Sequence, residues 1–468
     1  MNDMMKDNYF IKDWMDTMKN SVKLMYPDIP DNELTEFLYK IIDKNIKVPI
    51  ATLDNNYVKT QKEVDVLTLM QWVKDNKFII AGNGTIFKNH DQEYNPSIHF
   101  LIDLKKSRDG IKSAMKKLDP KTYEYAMKDM GQLNEKLLMN SDYGAGGSPI
   151  TYFFNLYCAV STTATGQSMI STAMCCFEDF FSDNVKFIDF DDCSRYISNI
   201  MNETFNGDIS LVDDKKPHEV FERLKNKFID YKENYNHPLF SMLMHLDQNN
   251  LNRIYYKNNL YEFVRLPKIK KLLFKIIDET ELFLDPNKPP KDVLPDLELL
   301  WSMIEEWVVY NYFAFNRIGR LTCDKRDTVT TIDTDSNMLC LAPWIDFIID
   351  EVIKNDPKIM NTTTKNYTYI INDEEKTFDG EKMLVYKISN TATYLASQVI
   401  AKHLKKFAIN SGIPEDYHNR LHMKSEFLFR RMLLTSTKKR YMSKVMLREG
   451  TVFEKLDEVK TSLISVMV

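Results

Sequence analysis

Two aspartates stand one residue apart inside a segment that is otherwise apolar and hydroxyl-rich, Thr331-Ile-Asp-Thr-Asp-Ser336. β-Branched residues precede the pair, and residues 338–340 resume the apolar character after it. This pattern predicts a strand, a tight turn and a second strand, with Asp333 and Asp335 at the tip.

The chemistry of the tip follows from the spacing of the two carboxylates. Side chains two residues apart in an extended segment point to the same side, so Asp333 and Asp335 are expected to face one place. Two like charges held this close repel unless a cation lies between them, and oxygen-only ligands suit Mg²⁺ or Mn²⁺. An Asx-turn that caps a surface hairpin is the alternative that this segment alone leaves open.

A second motif, Lys136-Leu-Leu-Met-Asn-Ser-Asp-Tyr-Gly144, ends a run with helical periodicity. Lys136, Asn140 and Tyr143 are spaced i, i+4 and i+7, which places them on one helical face. A lysine, an amide and an aromatic ring make a poor core face but suit a nucleotide-binding face. The glycines at and after position 144 are expected to end the helix.

The two motifs, Lys-x-x-x-Asn-Ser-x-Tyr-Gly and Asp-Thr-Asp-Ser, resemble motifs B and C of the family B DNA polymerases, the replicases of tailed phages, archaea and eukaryotes. The resemblance covers roughly residues 80–170 and 320–450. Further segments resemble the family in the expected order: Gly82-Asn-Gly-Thr85, the pair Arg108 and Lys112, Thr162-Thr-Ala-Thr-Gly-Gln167, and Lys438-Lys-Arg-Tyr441 after Glu426-Phe-Leu-Phe-Arg-Arg431.

The resemblance implies a DNA-directed DNA polymerase that works by two-metal nucleotidyl transfer. Asp335 and Asp333 would be the catalytic residues and metal ligands for Mg²⁺ or Mn²⁺. The incoming dNTP would be bound by Arg108, Lys112, Lys136, Asn140 and Tyr143. The primer-template DNA would be contacted by Gly144, Lys438, Lys439, Arg440 and Tyr441. Taken alone, the basic residues of both sets are also compatible with solvated charge runs.

Departures from the family pattern concern the other metal-binding aspartate. The candidate for motif A, Asp-x-x-Ser-Leu-Tyr-Pro in the family, is Ser21-Val-Lys-Leu-Met-Tyr-Pro27, with Ser21 in place of the aspartate. Thr331-Ile332 also replaces the usual Tyr-Gly of motif C. An exonuclease and a thumb are not evident.

We therefore expect one chain of a split polymerase, active in phage DNA replication only with a companion chain that carries motif A and the exonuclease. Whether a third chain bears the thumb is left open. The alternative is a catalytically inactive, polymerase-like subunit that binds DNA or assembles the replisome.

The expected fold class is α+β: a polymerase-like palm, a helical fingers hairpin and an inserted, mainly helical subdomain. A helix from Ala392 to Phe407 is expected to bury Tyr394, Ile400 and Leu404 as well as Phe407. The role of the insertion is left open between structural support, docking the companion chain and gripping the duplex. The expected division is 1–94 as N-terminal and palm-entry region, 95–147 as fingers hairpin with motif B, 148–204 as palm helix region, 205–310 as the insertion, and 311–468 as palm with motif C and the Lys-Lys-Arg-Tyr strand.

Composition sets limits on partners and location. The 468 residues are 44% hydrophobic, which supports a sizeable core. The net charge of −5 does not mark a nucleic-acid binder, so DNA contact depends on local basic grooves.

No apolar run reaches the roughly twenty residues that span a bilayer, and the charged N-terminal region does not resemble a signal peptide. We expect no membrane contact and a location in the host cytoplasm. The abundance of Lys, Asn, Ile and Tyr is typical of an AT-rich genome and agrees with a bacteriophage source.

Overall fold

The computed structural model shows a mixed α+β architecture that is rich in helices and contains small antiparallel sheets. This agrees with the expected fold class, while the assignment of palm and fingers stays a prediction. The structure describes residues 9–42, 46–53, 58–89, 96–115, 118–119, 122–233, 236–278, 283–311, 326–333, 336–354, 367–371, 374–378, 380–435, 441–448, 450–452 and 459–461.

The helices are α1 (Tyr9–Met25), α2 (Asp31–Ile42), α3 (Val66–Asp75), α4 (Pro96–Met115), α5 (Tyr123–Gly147), α6 (Leu156–Ser182), α7 (Phe190–Asn202), α8 (Pro217–Lys225), α9 (Asn236–Met244), α10 (Gln248–Tyr256), α11 (Leu260–Val264), α12 (Pro267–Asp278), α13 (Leu294–Trp307), α14 (Ala342–Ile348), α15 (Gly380–Asn410) and α16 (Glu415–His418). The strands are β1 (Lys47–Leu53), β2 (Lys59–Asp65), β3 (Ile79–Ile80), β4 (Ile86–Phe87), β5 (Val329–Asp333), β6 (Ser336–Leu339), β7 (Tyr367–Ile371), β8 (Glu374–Phe378), β9 (Phe427–Leu434), β10 (Tyr441–Arg448), β11 (Thr451–Val452) and β12 (Val459–Thr461).

The chain divides into two compact units. Unit 1 comprises Met1–Ile46, Ile170–Lys406 and Asn419–Val468, and unit 2 comprises Lys47–Met169 and Phe407–His418. None of the described helices is both long enough and apolar enough to span a bilayer.

Unit 2 is built around a pair of antiparallel helices, α4 and α5. Thr122 caps α5, because its hydroxyl accepts a hydrogen bond from the Tyr125 N–H at 3.3 Å. Ser107 Oγ of α4 donates to Glu135 Oε1 of α5 at 2.8 Å, which fixes the register of the pair. A helical hairpin was predicted over residues 95–147, and both of its helices are present.

Unit 1 contains a buried hydrophobic core. Apolar side chains of α7, α8, α9 and α10 pack together with the chain that leads into α7. Residues on both sides of position 205 contribute, so the segments assigned to the palm helix region and to the insertion share this core. The domain boundaries stay a prediction. The fully buried members of this core include Cys193, Ile200, Val220, Leu224, Leu239, Leu243 and Ile254.

A buried ion pair and its accompanying hydrogen bonds connect α10, and the chain that follows it, to neighbouring segments. Lys257 Nζ lies 2.9 Å from Glu203 Oε2 and donates to the carbonyls of Glu306 at 3.1 Å and Val309 at 2.8 Å. Arg253 Nη2 donates to the Glu203 carbonyl at 2.9 Å. A buried charge is tolerated only when it is paired and hydrogen-bonded, so these contacts specify how the helices meet.

A second buried cluster surrounds Asp183, which follows α6. Arg223 Nη1 lies 2.7 Å from Asp183 Oδ2, and Lys227 Nζ contacts Asp183 Oδ1 and donates to the Asp183 carbonyl at 3.2 Å. Burial lowers the pKa of Lys227 to about 8, although the charge of Asp183 opposes the shift. The unfolded chain keeps the ordinary value of 10.5. At a pH between these two pKa values, Lys227 is protonated in the unfolded chain and deprotonated in the folded chain.

The free energy of unfolding is therefore expected to rise with pH from about 8 toward 10.5, and this contribution is lost as the pH falls through 8. We expect the rise that depends on Lys227 to reach about 2 kcal/mol by pH 9.5. Urea denaturation of the wild type and of Lys227→Met across this range measures it. Lys225→Met, at a partly exposed lysine at the end of α8, is the matched control. Equal slopes in all three proteins would refute the assignment.

Candidate functional site

The motif C segment forms the predicted hairpin. Strand β5 pairs antiparallel with β6, and the last pair is Asp333 with Ser336. Ser336 Oγ donates to the Asp333 carbonyl at 3.3 Å, and Thr330 Oγ1 donates to the Met338 carbonyl at 2.9 Å. Asp333 ends β5 with an exposed side chain. Asp335, the other predicted ligand, lies outside the described residues.

Tyr441, the last residue of the Lys-Lys-Arg-Tyr segment, opens β10 and lies within electrostatic reach of this hairpin. Burial raises the pKa of the Tyr441 phenol, and the negative charges of Asp333 and Glu426 raise it further. Two residues that were predicted from motifs far apart in the sequence are thus close in unit 1. Lys438, Lys439 and Arg440 lie outside the described residues.

Strand β10 has defined neighbours on both sides. It pairs antiparallel with β9, from Tyr441 opposite Leu434 to Arg448 opposite Phe427. Strand β11 pairs with β10 at residues 447–448, and β12 pairs with it at residues 442–444. This small sheet positions Tyr441 in the part of unit 1 that contains the hairpin.

Motif B lies on α5 in unit 2. Lys136, Asn140 and Tyr143 occupy one face of this helix, within roughly 60° of one another at 100° per residue, and all three are exposed. The Tyr143 hydroxyl lies 2.6 Å from the Thr163 hydroxyl of α6, so motif B is hydrogen-bonded to the Thr-rich segment. Gly144, exposed, falls in the last turn, and the helix ends at Gly147 as the glycines predicted.

The predicted Arg-x-x-x-Lys pair lies on α4, beside motif B. Arg108 is half-buried, and its Nε donates to Gln132 Oε1 at 3.2 Å. Gln132 precedes Lys136 by one helical turn, so Arg108 reaches the part of α5 that carries motif B. Lys112 follows Arg108 by one turn and is exposed. The structure therefore gathers the five predicted nucleotide-binding residues on one helical hairpin.

The Asn-Gly turn contacts the first half of α6. The Gly82 N–H donates to Thr165 Oγ1 at 3.0 Å, and Ser161 Oγ donates to Asn83 Oδ1 at 3.1 Å. A Cβ on Gly82 would lie 2.6 Å from Ser168 Oγ and 2.7 Å from the Ala164 carbonyl oxygen. Only glycine fits this close approach, which joins two segments that were recognised separately in the sequence.

Gly82→Ala is therefore expected to lower the free energy of unfolding by about 2 kcal/mol, because the backbone of α6 cannot move away from the new methyl group. Gly166→Ala is the matched control. Gly166 lies on α6, the helix that Gly82 contacts, and no atom lies within 4 Å of the Cβ that the substitution adds. That variant should be neutral or more stable by up to about 1 kcal/mol. Urea denaturation of both compares them, and equal stability would show that the turn does not pack as described.

The candidate for motif A does not provide a metal site. Ser21 lies within α1 and is buried, its Oγ donates to the Thr17 carbonyl at 3.0 Å, and it accepts a hydrogen bond from Asn202 Nδ2. Tyr26, just after this helix, is exposed, with its ring 5.6 Å from that of His245. A helical serine whose hydroxyl is already bonded on both sides is not placed as a metal ligand.

The described part of the site fits a hard cation in one respect. Asp333 presents an exposed carboxylate at the end of a strand and next to the Ser336 hydroxyl, and both offer oxygen, which Mg²⁺ and Mn²⁺ prefer. Within the described ranges, no group of three or more His, Cys, Asp or Glu side chains is arranged to hold a metal ion.

Sequence reasoning missed Glu178 of α6. Its carboxylate is fully buried and accepts backbone hydrogen bonds from the chain that enters β5. The available signal was an acidic pair, Glu178 and Asp179, inside the apolar run from Met174 to Phe181. An acidic residue in such a run has to find buried donors, although the sequence does not say which ones.

Comparison with protein families gives a match to part of the chain. Residues 303–464 match the family model described as Divergent Family B DNA polymerase. No curated protein and no solved structure matches the chain. The matched range contains motif C and the Lys-Lys-Arg-Tyr segment, while motif B precedes it. Over residues 303–464 the chain thus carries a portion that matches the divergent family B DNA polymerases, which confirms the resemblance seen in those two motifs.

Proposed function

We propose that the chain is a subunit of a DNA polymerase that carries out template-directed nucleotidyl transfer. The observation that carries this proposal is the β5–β6 hairpin. It presents Asp333 within electrostatic reach of Tyr441, inside the segment that matches the family. An acidic hairpin beside a strand that would contact DNA suits a polymerase palm. The motif B helix, with its lysine, amide and tyrosine on one exposed face, supports the same function.

The proposed reaction joins the primer 3′-oxygen to the α-phosphorus of a dNTP and releases pyrophosphate. Asp335 and Asp333 would hold Mg²⁺ or Mn²⁺, which when bound supplies charge neutralisation for the attacking and leaving oxygens. Asp335 would be the direct ligand, and Asp333 would shape the site.

The remaining residues of the chain would bind and orient the substrates. The triphosphate would be bound by the guanidinium of Arg108 and by the point charges of Lys112 and Lys136. Asn140 would support them by hydrogen bonding, and Tyr143 would pack against the nascent base pair. The primer-template backbone would be held by Gly144, Lys438, Lys439, Arg440 and Tyr441, since phosphate contacts position a duplex without reading its sequence.

We further propose that a companion chain completes the enzyme by supplying motif A and the exonuclease. The buried, hydrogen-bonded Ser21 supports this, because the motif A candidate provides no carboxylate. Exposed apolar side chains in unit 2 support it too, since soluble monomers rarely leave large apolar patches uncovered. Ile150, Tyr152 and Phe153 between α5 and α6 are exposed. One side of α5 adds the exposed Tyr123, Met127, Met130, Leu133, Leu137 and Leu138.

Primer extension with Mg²⁺ and dNTPs tests the proposal, using the chain alone and then with the protein encoded beside it. We expect DNA synthesis only when both proteins are present. That result would place the missing aspartate on the companion chain. Synthesis by the chain alone would remove the companion from the proposal and keep the polymerase. Action within phage DNA replication in the host cytoplasm belongs to the same proposal.

The second candidate is a catalytically inactive subunit that keeps the polymerase shape and binds DNA or assembles the replisome. The helical, bonded Ser21 favours it as much as it favours a split enzyme. This alternative would be selected if neither the chain nor the mixture synthesises DNA. Binding of primer-template DNA would then be retained and would weaken as the salt concentration rises.

A further inference from the structure

The carboxylate of Glu178 accepts backbone hydrogen bonds from the segment that begins the motif C hairpin. Three consecutive backbone N–H groups donate to its carboxylate: Asp327 to Oε2 at 3.1 Å, Thr328 to Oε1 at 3.0 Å and Val329 to Oε1 at 2.6 Å. Asn184 Nδ2 adds a donor at 3.4 Å. Glu178 is 0% exposed, and in the described part of the chain N–H groups, with no cation, satisfy its oxygens.

The geometry shows what this contact fixes. In an extended strand successive N–H groups point to opposite edges, so three of them meet one carboxylate only where the chain turns. The turn ends at Val329, where β5 begins. The Cys340 N–H donates to the Thr328 carbonyl at 2.7 Å, and the Thr328 hydroxyl contacts that of Ser182 on α6. Glu178 therefore lies at the open end of the hairpin, opposite the end that carries Asp333.

We propose that Glu178 is a positioning residue for the catalytic carboxylates, because it holds the β5–β6 hairpin on α6 in one register and direction. The proposal rests on the proposed function, since it assigns Asp333 and Asp335 to the metal site. Val329 and Asp333 are four residues apart, about 13 Å in a strand, so Glu178 acts through the hairpin and does not touch the metal. A small rotation at the anchored end moves the tip by a larger distance.

The side chain must be a carboxylate for this role. Gln at position 178 keeps the size and one acceptor oxygen, but its amide nitrogen presents N–H groups to the backbone donors of the turn. Glu178→Gln is therefore expected to loosen the anchored end while leaving the α6 packing in place. Leu243→Ala is the control for a general loss of stability, because Leu243 is fully buried in the unit 1 core and does not belong to the hairpin or its anchor.

Hydrogen exchange followed by mass spectrometry measures the anchor in the full chain. We expect the amides of 327–333 and 336–340 to exchange about tenfold faster in Glu178→Gln than in the wild type, with a much smaller change there in Leu243→Ala. Equal acceleration of these amides in both variants, or none in Glu178→Gln, would overturn the anchoring role. This readout does not require polymerase activity.

Kinetics of the assembled enzyme measure the positioning role. In Glu178→Gln we expect kcat to fall about tenfold, the dNTP KM to change by less than about twofold, and the Mg²⁺ concentration for half-maximal rate to rise about fivefold. Leu243→Ala should leave the Mg²⁺ requirement unchanged. A loosened hairpin with wild-type Mg²⁺ dependence would overturn the positioning role.

Absence of synthesis by the wild type would instead count against the proposed function, while the exchange experiment would still decide whether Glu178 anchors the hairpin.

Discussion

Asp335→Ala is expected to lower nucleotide incorporation by the assembled enzyme by about 10³-fold or more, because it removes the direct ligand of the metal that neutralises the reacting phosphate. Binding of primer-template DNA should change by less than about twofold, since the basic residues that contact phosphates are untouched. Single-turnover incorporation and a DNA-binding titration measure the two effects on the same preparation.

The control for this prediction is a loss of the same charge elsewhere in unit 1. Asp346 is an exposed aspartate of α14, so Asp346→Ala should leave both incorporation and DNA binding near the wild-type values. Wild-type incorporation by Asp335→Ala would remove Asp335 from the metal site. Equal losses of incorporation and DNA binding would show that the substitution acts on the fold of the hairpin.

Lys136→Ala is expected to raise the dNTP KM and to lower kcat, with kcat/KM reduced by about 10²-fold. A residue that binds the triphosphate acts on the ground state and on the transition state, so both constants change. Lys136 suits this role because it is exposed on the face of α5 that also carries Asn140 and Tyr143. Steady-state incorporation of one nucleotide at varied dNTP concentration gives both constants.

Lys106→Ala provides the comparison for Lys136. Lys106 is exposed on α4 and lies about 160° around that helix from Arg108, so it faces away from the predicted triphosphate site. Its loss removes the same charge from the same helical hairpin and should leave both kinetic constants within about twofold of the wild type. Normal kinetics in Lys136→Ala, or equal defects in both variants, would exclude a specific triphosphate contact at Lys136.

Local patterns predicted the helices and the hairpin that carry the site. The periodicity of 392–407 placed Tyr394, Ile400 and Leu404 in the core, and all three are buried in α15. The β-branched run before Asp333 predicted β5. These features depend on spacing and intrinsic preference, which a single sequence displays directly.

Other features were missed because the sequence pattern was weak or absent. Strands β1 and β2 form an antiparallel hairpin that the sequence analysis did not predict. Their residues include lysine, threonine and glutamate, and β2 is largely exposed, so no alternation of apolar and polar positions marks them. Pairing with a neighbouring strand decided the structure here.

Contacts between distant segments were beyond any local pattern. The closeness of Asp333 to Tyr441 and the hydrogen bonds from the chain at Thr328 to Glu178 join residues more than a hundred positions apart. Periodicity reports which face a residue occupies but not which element that face meets. For the same reason the sequence could not show that Ser21 is buried against Asn202.

Iron-directed cleavage tests most directly the central claim, that the hairpin of Asp333 and Asp335 holds the catalytic metal. Fe²⁺ replaces Mg²⁺ in the assembled enzyme with primer-template and dNTP, and peroxide with ascorbate then generates radicals that cut the backbone beside the bound ion. Mass spectrometry locates the cuts. We predict cleavage between residues 331 and 337 in the wild type and its loss in Asp335→Ala. Cleavage confined to other segments of the chain, or unchanged in Asp335→Ala, would contradict the account.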